Sequence, residues 1–179
     1  VLTNSDIVEL TAWRHELHRH PEVSREERQT AARVTKALQG LGADRVLNGL
    51  GGHGVAGIFD GAADGPTILF RAELDALPIT EKTLVPYRAA APGKGHLCGH
   101  DGHMALLMGL ARLLAQRRPV RRGAVAVVEN RPGGSALLGT NIVLTSTDAR
   151  PLVGMLLNGK APKSVARLLE MPNLALRAR

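Results

Sequence analysis

The order in which hydrophobic spacing changes along the chain limits its fold more than any other feature. Two stretches with helical spacing come first, two short apolar runs flanked by glycines follow, and a third helical stretch precedes another short run. Ile7, Leu10 and Leu17 recur at helical spacing after Ser5, a candidate N-cap. In "SREERQTAARVTKALQGLG", Ser24 and Glu27 have the spacing of a capping box. Val34, Leu38 and Leu41 make one face there, and Gly40 and Gly42 end it. Pro21 separates the two helices.

Residues 54 to 59 ("GVAGIF") and the run from Thr67 ("TILFRAELDALP") read as two strands joined as a hairpin through "GAADGP". Residues 80 to 97 show no period, contain two prolines and two glycines, and read as a loop. Met104, Leu107, Leu110, Leu113 and Leu114 then form a broad apolar stripe on a helix that Asp101 could cap. "GAVAVV" (123 to 128) is the next strand. This order predicts an α/β fold with helices covering a mixed, mostly parallel sheet. Further on, "LVGMLL" reads as a strand and "SVARLLEM" as a short helix.

Composition narrows the class. With 179 residues and 44% hydrophobic content the chain can bury a core, but aromatics make up only 2%, so that core is aliphatic. One cysteine cannot form an internal disulfide, which predicts a reducing, cytoplasmic setting and leaves Cys98 as a buried bystander or a ligating thiol. No apolar run is long enough to span a membrane, and "VLTNSDIVEL" does not read as a signal peptide. The net charge is +7, and from Asn130 onward seven Lys/Arg stand against Asp148 and Glu170. These charges are scattered, without an aromatic platform or a recognisable nucleic-acid-binding motif, so neither nucleic acid nor membrane is an expected partner.

Three groups of residues carry chemistry. In "HLCGHDGHMALL", Cys98 and His100 can face one metal if they lie on a tight turn, and Gly99 and Gly102 allow that turn. Asp101 could orient an imidazole or cap the helix, and His103 could support the site from behind. Such donors favour Zn, Mn, Co or Ni over Mg or Ca. A polar helix start with a buried cysteine would give the same pattern. In "RAELDALPI", a strand ending at Glu73 and Asp75 puts two carboxylates on one side; an exposed strand end with Arg71 as ion-pair partner is the alternative. In "HELHRHPE", His15 and His18 share a helix face as a metal pair or simply as a polar face.

Taken in order, "WRHELHRHPEVSREERQTAARV", "GLGGHGVAGIF", "ILFRAELDALPI" and "GHLCGHDGHMALLMGLARLL" resemble the N-terminal part of a family of metal-dependent amidohydrolases and metallopeptidases, over about residues 6 to 128. That family includes hippurate hydrolase, N-acyl-amino-acid amidohydrolases, N-acetyl-diaminopimelate deacetylase and the auxin-conjugate hydrolases. The resemblance implies a three-layer α/β/α catalytic-domain fragment over residues 1–128, lacking the inserted small dimerisation domain, with 129–179 as a divergent basic tail. It implies hydrolysis of the amide bond of N-acylated amino acids or peptides, hippurate-like, by water activated on a divalent metal (Mn, Zn, Co or Ni). Cys98 and His100 take the positions of metal ligands. Glu73 and Asp75 take those of the two acids of the family's strand-end motif, Glu73 being longer than the commoner Asp and Asp75 orienting the site. The partner is a small N-acyl amino acid, and a homo-oligomer is the accompanying expectation.

The sequence departs from the family after the strand at 123 to 128. Gly133 and Gly134 stand near the family's general-base and ligand glutamates, Glu129 comes too early, and no histidine follows His103. A catalytically inactive remnant with an incomplete metal site is therefore the alternative reading. "VVENRPGGSALLGTNIV" (127 to 143) resembles a segment of the solute-binding proteins of tripartite tricarboxylate transporters, which suggests a solute-binding module as a reading of another class.

Overall fold

The computed structural model describes residues 1–65, 67–118, 124–127 and 142–144. It contains α1 (Asn4–Arg19), α2 (Arg28–Gly40), β1 (Arg45–Leu50), β2 (Gly54–Asp60), β3 (Thr67–Phe70), α3 (His100–Gln116), β4 (Ala124–Val127) and β5 (Ile142–Leu144). The expected strand at "LVGMLL", the helix at "SVARLLEM" and most of the 127 to 143 segment lie outside the described residues.

Local chemistry sets the helix ends, though not always through the expected residues. Thr3, rather than Ser5, caps α1: its hydroxyl accepts from the Asp6 N–H at 3.2 Å while the Asp6 carboxylate accepts from the Thr3 N–H at 2.8 Å. The Thr3 N–H, together with the Arg112 guanidinium that also reaches Asp6 and the Thr3 hydroxyl, holds that carboxyl down at about 2. The expected Ser24–Glu27 box does not form. Glu27 occupies the N-cap position of α2 without a side-chain cap, and the Glu22 carboxylate accepts instead from the N–H groups of Gln29 (3.1 Å) and Thr30 (2.7 Å). A glutamate upstream can reach the open N–H groups because Arg25, at φ 76°, folds the chain back. At the other end Gly42 takes φ 72°, and the N–H of Ala43 donates to the Leu38 carbonyl.

The strand order is β1-β2-β4-β3-β5. Among the described strands only β3–β4 is parallel; β1–β2, β2–β4 and β3–β5 are antiparallel. The sheet is therefore mixed but not mostly parallel, which corrects the sequence expectation. The reason lies in the connections: the short turn after Leu50 returns β1 directly into β2, whereas β3 and β4 are linked through α3, long enough for a parallel crossover. The expected β2–β3 hairpin is also absent, because β4 inserts between them.

The core is mainly aliphatic, as composition predicts, with Phe59 and Phe70 as its aromatic members. Val34 and Leu38 of α2, Val55 and Phe59 of β2, Ile68 of β3, and Met104, Ala111 and Leu114 of α3 lie in one buried cluster. Val55 and Ala56 point to opposite faces of β2 and both are buried, so the sheet is covered on both sides there. α1 packs on α3, and α2 packs on β1 and β2. Among the described residues no helix is long and apolar enough to cross a membrane.

Candidate metal-binding site

β3 ends at Phe70, earlier than expected, but the chain stays extended beyond it. Ala72, Leu74 and Ala76 are buried while Arg71, Glu73 and Asp75 are partly exposed, so the period of two continues and the two acids share a side. Their roles differ. Glu73 accepts from the Arg71 guanidinium at 2.8 Å, the ion-pair alternative. Asp75 instead reaches His100, which accounts for the site's position at the carboxyl end of a strand.

The turn that carries Cys98 and His100 is tight. Gly99 precedes α3 at φ 87°, a conformation a side chain would strain, and α3 starts at once with His100. Asp101 does not cap the helix. Gly99 takes the N-cap position and Asp101 is fully buried in the first turn, because its carboxylate has partners elsewhere. The His100 Nδ1 lies 2.8 Å from the Asp75 carbonyl oxygen and 3.1 Å from its Oδ1. Both are acceptors, so Nδ1 carries the proton and the Nε2 lone pair is left for a ligand. Donation from His100 to the Asp75 carboxylate raises the His100 pKa against the opposing effect of burial. Cys98 is half-buried and free.

Behind the turn lies a polar cluster that sequence reasoning missed. His18 is buried, and its Nδ1 lies 2.9 Å from Asp101 Oδ2. Its Nε2 lies 3.1 and 3.2 Å from the two oxygens of Glu81. Arg14 Nε donates to the same Asp101 oxygen at 2.9 Å. Burial would raise the Asp101 pKa, but His18, His96 and Arg14 together hold it below the ordinary value. Glu81 is likewise pushed up by burial, and is overcome by the Ala89 N–H, the Thr83 hydroxyl and His18, which bring it to about 2. His15 stacks on Tyr87 at 3.7 Å between ring centroids. His15 and His18 are thus neither a metal pair nor a plain polar face. The repeated histidines of "HELHRHPE" marked the region, but Glu81 sits in a loop without periodicity and nothing local linked it to His18.

His96 is buried, its ring centroid 6.3 Å from that of His18, and both its nitrogens lack a hydrogen-bond partner among the described residues. Burial pushes its pKa down to about 4. The His103 ring lies 6.1 Å from that of His100, beside the candidate ligand rather than on it.

A thiol and an imidazole with its Nδ1 anchored suit a divalent first-row metal in kind. They fall short in number: among the described residues no group of three His, Cys, Asp or Glu side chains is placed to hold a metal ion, and a water-activating zinc site uses three protein ligands.

Comparison with known proteins gives a consistent picture. Residues 69–130 match the model of the Peptidase family M20/M25/M40. The chain is 37% identical over 145 residues to YhaA of Bacillus subtilis (strain 168), covering 78% of this chain and 36% of that protein. It is 36% identical over 132 residues to the N-acyl-L-amino acid amidohydrolase of Geobacillus stearothermophilus, covering 71% of this chain and 35% of that protein. Among solved structures it is similar to Bacillus subtilis YxeP, a dinuclear metal-binding peptidase of the M20 family. The TM-score is 0.68 at 35% identity, over 74% of this chain and 36% of that one. The chain thus spans about a third of the length of these relatives.

Proposed function

We propose, from the match of residues 69–130 to the Peptidase family M20/M25/M40, that this chain is the N-terminal part of a metal-dependent amidohydrolase acting on N-acylated amino acids, hippurate-like compounds among them. Cys98 and His100 are the metal donors in this reading, and the metal is Mn, Zn, Co or Ni. Asp75 orients His100, Asp101 anchors the turn, and Glu73 and His103 flank it. The catalytic domain is a three-layer α/β/α unit of which residues 1–128 form a part.

The observation that carries the reading is the hold of Asp75 on His100 Nδ1, which leaves Nε2 free two residues from the only thiol in the chain. Orientation of a ligating imidazole through its other nitrogen is the usual arrangement at metal centres. The relative from Geobacillus stearothermophilus supports an N-acyl amino acid as substrate. A bound metal would polarise the amide carbonyl and lower the pKa of water. With two donors, the described residues support no step beyond binding and orienting.

The test is release of the acyl group from hippurate and from N-acetyl amino acids after addition of Mn, Zn, Co or Ni. In the complete enzyme, where residues outside the described ones supply the general base and the further ligands, the expected result is metal-dependent release that Cys98→Ser removes. A chain that holds metal in stoichiometric amounts yet releases nothing from either substrate would overturn the hydrolytic part of the reading.

A further inference from the structure

We propose that His18 is a positioning residue for the Cys98–His100 pair, clamping the first turn of α3 between α1 and the loop that carries Glu81. The inference rests on the reading of Cys98 and His100 as metal donors, and extends it to a residue far away in the sequence.

The geometry is specific. His18 lies near the end of α1, and its two ring nitrogens face two different carboxylates, Asp101 at 2.9 Å and Glu81 at 3.1 Å. The Asp101 and Glu81 side chains are 0% and 2% exposed, and the His18 side chain 8%. Carboxylates only accept hydrogen bonds, so a carboxylate on each side asks both ring nitrogens to donate. Each carboxylate is tied further: Asp101 to Arg14 Nε, and Glu81 to the Ala89 N–H. Removing His18 would leave two buried carboxylates each short of a donor, and the cost falls on the turn between them.

That turn holds the candidate ligands. Asp101 follows His100 directly, and Gly99 at φ 87° gives the backbone no stiffness of its own. His100 is fixed by Asp75 on one side, and the backbone that carries it is fixed by His18 through Asp101 on the other. The spacing of Cys98 Sγ and His100 Nε2 therefore depends on His18, although His18 touches neither.

The experiment follows the reactivity of Cys98, the only thiol, toward iodoacetamide in the whole chain, without metal and then with Co²⁺. His18→Gln keeps one donor, and His18→Gly opens a hole that added imidazole can fill. Leu38→Ala, on the buried face of α2, serves as a variant destabilised elsewhere. The expected result is alkylation about tenfold faster in both His18 variants than in Leu38→Ala, and Co²⁺ bound about 10–100-fold more weakly. Imidazole should slow alkylation of His18→Gly toward the wild-type rate, whereas 1-methylimidazole, which fills similar space with one N–H fewer, should not. Equal alkylation rates in the His18 and Leu38 variants, or equal rescue by the two imidazoles, would reduce His18 to ordinary packing and overturn the inference. A wild-type chain that binds no Co²⁺ would instead overturn the metal reading, and the alkylation comparison would still decide the role of His18.

Discussion

Asp75 grips His100 at one nitrogen from two directions, with its backbone carbonyl oxygen 2.8 Å and its Oδ1 3.1 Å from Nδ1. One residue thereby fixes both the tautomer and the ring plane of a candidate ligand. Asp75→Ala removes the carboxylate and leaves the carbonyl. Metal affinity should fall about 10–100-fold, as for other residues that orient a ligating histidine. Competition with a chromophoric chelator measures this, and an unchanged affinity would mean that the carbonyl alone suffices.

Glu81 gives a pH signature. Its folded-state pKa of about 2 lies below its ordinary value of 4.5. The unfolded chain therefore binds more protons between those values, and the contribution of Glu81 is complete above about 4.5 and lost as the pH falls toward 2. Glu81→Gln should destabilise the chain by about 1–3 kcal/mol at neutral pH, the scale of a broken buried network. Its difference from wild type should shrink through the acid window. Chemical denaturation at several pH values reads this directly, and a constant difference from pH 7 down to pH 2 would contradict it.

Two glycines in β2 should respond differently to alanine. A Cβ on Gly57 would sit 2.7 Å from Leu38 Cδ2, a buried side chain with little room to move. Gly57→Ala should cost about 1–3 kcal/mol as overpacking. Adding Leu38→Ala, itself worth about 2–5 kcal/mol, should give a double variant less destabilised than the two costs combined. At Gly54 the Cβ would meet the Leu50 carbonyl oxygen, part of the backbone at the hairpin, and no side-chain change can relieve it. A double-mutant cycle on thermal or denaturant stability separates the cases, and strict additivity at Gly57–Leu38 would contradict the packing described.

Sequence reasoning reached the elements that rest on local periodicity. Val34 and Leu38 are buried and Leu41 is half-buried; Met104, Leu107, Leu110 and Leu114 are buried and Leu113 is half-buried, and β4 forms where its apolar run predicted. It went wrong where the outcome depends on distant partners. No feature of "GVAGIF" or "TILFRAEL" says that β4 will insert between them, so the hairpin expectation and the parallel count both failed. Helix caps failed for a related reason: Ser24 has the right type at the right offset, yet Glu22 reaches the same N–H groups once Arg25 turns the chain. At the candidate site, Cys98, His100 and Asp75 were legible from residue type and motif order. His18 and Glu81 were not linked, because 63 positions separate them and one sits in a loop without pattern.

The account stands most directly on whether Cys98 and His100 hold a metal together. Cobalt(II) added to the purified chain tests this, because a thiolate ligand produces a charge-transfer band and Cys98 is the only thiol. The account predicts a saturable band in the wild-type chain, absent in Cys98→Ser and shifted to higher cobalt concentration in His100→Ala. A wild-type chain without the band, or a His100→Ala variant that titrates like wild type, would contradict it.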